Sequence, residues 1–185
     1  MLFETIRVEN GIFQNLELHQ WRVNWSRNRL GFPDLLLALP TPPEKGIFRC
    51  RVIYYKKIEK VEFIPYKLRI PKEFTPVFCE EINYDLKSLN REDIDLLKKE
   101  KEEIVIVRKN FITDTSIANI YFFDDLSEKW ITPKKPLLKG TYREKLLRSG
   151  KVFERDIPFS EVKNFSKMGL SNAMTGFLEI DNTLS

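Results

Sequence analysis

ITDTSIANIYFF (residues 112–123), followed by ITPKKPLLKGTYREKLL (131–147), is the stretch on which the fold of this chain turns. The first segment reads as a strand, a polar turn and a second strand. The second reads as a short strand ended by Pro133, then a helix opened by Gly140-Thr141. Asp114 stands as a buried-looking carboxylate upstream of that helix start. Backbone N–H groups at a helix N-terminus favour an anion, so Gly140 and Thr141 are a candidate phosphate cradle. Lys87, in YDLKSLNRE (84–92), is the candidate amine for the same site.

Upstream, LFETIRV (2–8) alternates apolar and polar residues as a half-buried strand does. Asn10-Gly11 supplies a hairpin turn, and IFQNL (12–16) is its return strand. A helix is expected over Glu17–Leu30, capped by Asn15, stopped by Gly31 and Pro33, with Leu18, Trp21 and Trp25 on one face. FPDLLLALPTPPEKG (32–46) reads as a short apolar turn or helix and a Pro-rich bend. IFRCRVIYY (47–55) and KVEFIPYKLRI (60–70) form a second strand pair. Residues 71–83 read as a connector between lobes and Asn90–Glu103 as a helix, with the charge run LLKKEKEE (96–103) as its solvated face. IVIVRKNFI (104–112) is a buried strand turning at Lys109-Asn110, and IANIYFFD (117–124) pairs with it. The last elements are helices over 139–150 and Phe159–Phe165, then SNAMTGFLEI (171–180), a loop leading into a strand. No internal repeat or low-complexity segment occurs.

The 185 residues suffice for one substantial domain or two small lobes, and 42% hydrophobic with 31% charged content predicts a folded chain. A net charge of +4 admits an anionic ligand but lacks the basic stripe of a nucleic-acid binder. Cys50 and Cys79 lie far apart without metal-type spacing, which predicts a reduced, cytoplasmic protein. A single histidine, His19, excludes a multi-histidine metal site. No apolar run is long enough to span a membrane, and MLFETIRVEN lacks the pattern of a signal peptide.

Each candidate has an ordinary reading by itself. Lys87 is a surface lysine, Asp114 a turn-forming Asp-Thr-Ser residue, Arg22 a solvated helix residue, and Gly140-Thr141 a plain helix start. The combination is what carries meaning. A carboxylate, a phosphate cradle and a lysine are what pyridoxal phosphate (PLP) chemistry needs.

LFETIRVENGIFQNLELHQWR, YDLKSLNR, ITDTSIANIYFFDD, ITPKKPLLKGTYREKLL and SNAM, in that order from Leu2 to about Gly176, together resemble the class IV aminotransferase family. This is the PLP fold type IV group of branched-chain and D-amino acid aminotransferases and aminodeoxychorismate lyase. The resemblance implies an α+β fold, a shortened two-lobed fold type IV enzyme of the D-amino acid aminotransferase kind. Residues 1–75 would form a small N-terminal lobe and 76–185 a C-terminal lobe carrying the lysine, with a mixed sheet rolled towards a barrel and PLP between the lobes.

By the same resemblance Lys87 is the Schiff-base lysine and Asp114 the acid facing the pyridine nitrogen. Arg22, in His19-Gln20-Trp21-Arg22, would grip the phosphate, joined by Gly140, Thr141, Asn172 and Ala173. Asn119 belongs with the cofactor-binding residues, and His19 would be structural. The chain departs from the family in four ways. Aspartate replaces glutamate at 114, Glu92 stands where a tyrosine is common with Arg91 as a substitute, Tyr142 stands at the family's threonine, and the chain is short. The leading expectation is a 4-amino-4-deoxychorismate lyase. It is drawn from the SNAM loop and from the lack of an obvious second arginine for a dicarboxylate; Arg49, Arg51 and Arg143 are candidates for a substrate carboxylate. The alternatives are a class IV amino acid aminotransferase and, from a different class, a non-catalytic relative. Expected partners are an amino acid-like substrate and a second copy of the chain in a homodimer, with neither nucleic acid nor membrane.

Overall fold

The computed structural model describes residues 1–184. The chain forms two compact units, Met1–Arg69 with Leu86–Asn90, and Ile70–Asp85 with Arg91 onward. The segment carrying Lys87 therefore belongs to the first unit. The sequence-based boundary at residue 75 had put it in the second, because a five-residue excursion leaves no compositional mark.

In the first unit, β1 (Leu2–Glu9), β2 (Ile12–Phe13), β3 (Ile47–Tyr54) and β4 (Ile58–Pro65) form an antiparallel sheet in the order β2-β1-β3-β4. Asn10 and Gly11, both at positive φ, make the β1–β2 turn. The return strand is two residues long, because α1 (Leu16–Arg29) starts almost at once. Asn15 precedes the helix in a left-handed conformation without capping it through its side chain; its carbonyl accepts from Leu18 and His19 N–H instead. The alternation of β1 turns Leu2, Glu4, Ile6 and Val8 inward, against Cys50, Val52 and Tyr54 of β3. Each fully buried Ile or Val there contributes about 1.5–3 kcal/mol. The inward face of α1 differs from the expected one. It buries His19, Arg22, Ser26 and Arg27 beside Leu18 and Val23, while Trp21 and Trp25 stay half-buried and stack on each other at 6.5 Å.

In the second unit, β5 (Phe74–Phe78) runs parallel to β6 (Glu103–Arg108), which pairs antiparallel with β7 (Phe111–Thr115). β5 lies in the expected connector. Its central Pro76 hid it, and an edge strand is where a proline is tolerated. Between these strands, α2 (Glu92–Lys98) is half the expected length. Lys99 leaves helical geometry at φ 39° so that Glu103 can enter the sheet. Glu103, read as part of a solvated face, is fully buried and bonds Lys98 Nζ (2.9 Å) and Ser116 N–H (2.9 Å).

A five-stranded sheet follows, in the order β10-β9-β8-β11-β12. It is built from β8 (Asn119–Asp124), β9 (Lys129–Pro133), β10 (Val152–Arg155), β11 (Lys167–Asn172) and β12 (Gly176–Asp181). The β9–β10 pair is parallel and the rest antiparallel, with α3 (Thr141–Arg148) as the crossover. The helix expected over Phe159–Phe165 is a 3-10 helix, Phe159–Asn164. SNAM splits between the end of β11 and the turn into β12. No described helix is long and apolar enough to cross a membrane.

Candidate active site

The Lys87 segment lies along the edge of β1 that short β2 leaves open. Phe3 N–H donates to the Lys87 carbonyl (3.0 Å), Leu89 N–H donates to the Met1 carbonyl (3.1 Å), and Ser88 bridges Leu2. The Lys87 ammonium sits 4.6 Å from the Phe3 ring centroid, and the Arg51 guanidinium 5.4 Å from the same ring. Lysine is thus held half-buried on an aromatic face beside a second cation.

On the inward face of β1, Glu4 is fully buried among apolar neighbours. Arg22 of α1 meets it with both prongs of its fork, Nε to Oε1 at 2.8 Å and Nη2 to Oε2 at 2.5 Å. His19 Nδ1 lies 2.6 Å from Oε2. Burial raises the Glu4 carboxyl, but Arg22 and His19 outweigh it and hold it down at about 2. Burial lowers the His19 pKa despite Glu4, so the neutral ring donates its Nδ1–H to the carboxylate. Glu4 was absent from the sequence-predicted site. Its signal was available: a charged residue at an inward position of an alternating strand. The single histidine has the structural place expected of it.

In the second unit, Asp114, the next-to-last residue of β7, is buried. Asn119 Nδ2 donates to its Oδ1 (2.7 Å) and Leu138 N–H to its Oδ2 (2.9 Å). Burial pushes its carboxyl up to about 7, against the opposing pull of the Leu138 N–H, Asn119 and Arg143. Asn119 also donates to the Leu138 carbonyl at 2.9 Å, tying the strand to the approach of α3. A Cβ built on Gly140 would lie 1.9 Å from Asn119 Oδ1, so only glycine fits there. Gly140→Ala is expected to destabilise by about 1–3 kcal/mol through this overlap. It also displaces the start of α3; thermal melting, with and without PLP, checks both effects.

α3 has no side-chain cap, which leaves the N–H groups of Thr141 and Tyr142 without an intrahelical acceptor. The Tyr142 ring comes within 3.4 Å of a Cβ built on Gly176, so the helix start packs against the β11–β12 turn. Asn172 Oδ1 organises that turn, accepting from Met174 N–H (2.9 Å) and Thr175 N–H (3.0 Å), with Ala173 as its first residue. The second unit thus brings Asp114, Asn119, Gly140 and Thr141 together, with Asn172 and Ala173 adjoining. Tyr121 and Ser171, bonded at 2.6 Å, were not foreseen; Arg143 adds its charge to the surroundings of the buried Tyr121 phenol. Arg91 is engaged elsewhere, bonding the Ser116 carbonyl at 2.7 Å and lying over Tyr84, and Glu92 is exposed at the start of α2.

The first unit thus carries a half-buried amine on a β-edge, and the second a buried acid beside an uncapped helix start. Residues 55–183 match the family model for amino-transferase class IV. An uncharacterized protein of Haemophilus influenzae is 38% identical over 95% of this chain and 98% of its own length. The crystal structure of a protein from Haemophilus somnus, described as a candidate 4-amino-4-deoxychorismate lyase, superposes with a TM-score of 0.81 at 35% identity, covering 95% of this chain and 96% of that one. The PLP-bound form of a hypothetical aminotransferase from Mycobacterium tuberculosis shares the fold, with a TM-score of 0.75 at 15% identity over 97% of this chain and 79% of that one. The chain belongs to the class IV aminotransferase family, and it is a PLP-dependent enzyme.

Proposed function

We propose that the protein is a 4-amino-4-deoxychorismate lyase, releasing pyruvate and leaving 4-aminobenzoate. The observation that carries this reading is the 35% identity, over nearly the full length of both chains, to the Haemophilus somnus protein described as a candidate for that activity. The donor set fits PLP. Thr141 and Tyr142 N–H groups and the Asn172-Ala173 turn would receive the phosphate, with Arg22 contributing charge steadied by Glu4. Asp114 Oδ1 accepts from Asn119 Nδ2 and Oδ2 from Leu138 N–H, and a carboxylate oxygen has lone-pair capacity for a ring N–H as well. Lys87 would hold the aldehyde.

When bound, PLP supplies an electron-accepting ring that stabilises negative charge on the carbon bearing the substrate amine. The Lys87 amine would be the base that takes the proton from this carbon. A proton returns to the departing three-carbon fragment as its C–O bond breaks, so the split consumes neither water nor reductant. The Asp114 carboxylate would hold a proton on the ring nitrogen. We assign the work to a cytoplasmic homodimer making a folate precursor.

Family membership also favours a second reading, transamination of an amino acid, in which Lys87 would return the proton to the cofactor side. Incubation with aminodeoxychorismate is expected to release one pyruvate per 4-aminobenzoate, read by coupled reduction to lactate. Absence of pyruvate, together with conversion of the bound cofactor to its pyridoxamine form by amino acids, would assign the transaminase instead.

A further inference from the structure

β7 does not pair with β6 residue for residue. Thr115 stands opposite Val105 and Ile112 opposite Val107, so β7 takes three steps where β6 takes two. The extra residue falls at Thr113-Asp114, across from Ile106. A bulge of this kind bends its strand and re-aims the side chains on it. Every residue of β7 from Ile112 to Thr115 is buried, instead of alternate ones. Asp114 is among them, and its carboxylate reaches Asn119 and the Leu138 N–H.

The bulge is held on both sides. Before Asp114, Thr113 Oγ1 donates to the Ile106 carbonyl at 2.8 Å. Beyond it, Ser116 is bonded through each of its polar groups. Its N–H donates to Glu103 Oε1 (2.9 Å), its Oγ accepts from Lys98 Nζ (3.4 Å), and its carbonyl accepts from Arg91 Nη2 (2.7 Å). Arg91 and Lys98 stand at the two ends of α2, so the whole helix braces one residue. Glu103 joins the parts. It is fully buried, its Oε1 also accepts from Ile104 N–H (3.1 Å), and its Oε2 takes Lys98 Nζ (2.9 Å). A carboxylate withdrawn from water is costly unless it is bonded in this way. Glu103 bonds Ser116, two residues beyond Asp114, rather than Asp114 itself.

We propose that Glu103 is a positioning residue for Asp114: with Lys98 and Arg91 it fastens Ser116, and so fixes the bulge that aims the Asp114 carboxylate and keeps water from it. A group that must meet a cofactor at one place needs a supporting shell that holds it there. The role bears on catalysis only through the reading of Asp114 as the acid that faces the cofactor ring. It gives Arg91 a task at the Ser116 carbonyl in place of the one expected of it from sequence.

The test reads the Asp114 carboxyl directly, by carbon NMR of the apoprotein labelled at aspartate, with its signal assigned by loss in Asp114→Asn. The wild-type midpoint is expected near 7, where burial holds it. Glu103→Ala admits water and lowers it by about one unit or more. Glu103→Gln removes the charge but keeps an oxygen for the Ser116 N–H, and stays within about half a unit of wild type. Arg91→Met takes away the partner of the Ser116 carbonyl; it gives a smaller fall, and becomes the deciding variant if Glu103→Ala does not fold. A midpoint unmoved in the deciding variant, an equal fall in Glu103→Gln, or a wild-type midpoint already near 3.8 overturns the assignment. Binding of PLP is compared in parallel with binding of its analogue that has carbon in place of the ring nitrogen. Wild type is expected to prefer PLP by about tenfold or more, and Glu103→Ala to lose that preference while its affinity for the analogue holds. A wild type without the preference refutes the reading of Asp114, whereas the carboxyl titration judges Glu103 in either case.

Discussion

Lys87→Ala is expected to abolish borohydride-fixable cofactor and to lower turnover by about 10²- to 10⁴-fold or more, the range for losing a positioned proton-transfer group. The loss of covalent attachment comes in addition. The fold should survive, because what anchors the segment is backbone: the Lys87 carbonyl receives Phe3 N–H, and Leu89 N–H reaches the Met1 carbonyl. Alanine removes the ammonium from the Phe3 ring, a contact worth about 0.5–1 kcal/mol at a site of this exposure. That corresponds to a melting shift of only a few degrees, of the order of 2–4 °C per kcal/mol for a chain of this size. Activity and stability are therefore expected to separate cleanly. Peptide mapping of the reduced wild-type protein should find the label on Lys87, and label elsewhere would remove the basis of the assignment.

What could be read from the sequence follows from which residues interact locally. Asp114 and Asn119 are five positions apart on neighbouring strands joined by a polar turn, so their pairing was implicit in ITDTSIAN. The glycine requirement at 140 was implicit too, although its cause, the Asn119 oxygen, is visible only in three dimensions. Where the reading went astray, a long-range contact overrode a local pattern. The run 96–103 has the mixed charge of a solvated helix. Glu103 is nevertheless drawn into a buried strand, because Lys98 and the Ser116 N–H satisfy it there. Trp21 and Trp25 have the spacing of a core face, yet α1 turns its polar face inward because Glu4 on β1 demands Arg22 and His19. Both inversions place polar groups inside, and a buried polar group is retained only where partners are supplied from elsewhere in the chain. Inward charge at Glu4 was the legible trace of that arrangement.

Asp114→Asn is the second large effect, and its pH dependence identifies the cause. Burial raises the Asp114 carboxyl from the ordinary aspartate value of 3.8 to about 7 in the folded apoprotein. Between those values the folded state keeps the proton that the unfolded state has released. The stability of the apoprotein therefore falls as pH rises from about 4 to about 7, by an amount of the order of 4 kcal/mol at about 1.4 kcal/mol per unit. Asparagine does not titrate, so the variant loses this slope. It has a steady penalty instead, because both Asp114 oxygens accept bonds, from Asn119 Nδ2 and from Leu138 N–H. An amide can offer an oxygen to only one of them, at a cost of about 1–3 kcal/mol. The variant should thus be less stable than wild type near pH 4 and should match or exceed it above pH 7. Denaturant melts of the apoproteins across that range measure the crossing. Turnover of the PLP-loaded variant should drop about 10²- to 10³-fold, the loss typical of one preorganised electrostatic group. A variant that keeps the wild-type pH slope would locate the titration elsewhere, and one that keeps full turnover would show that Asp114 does not face the cofactor ring.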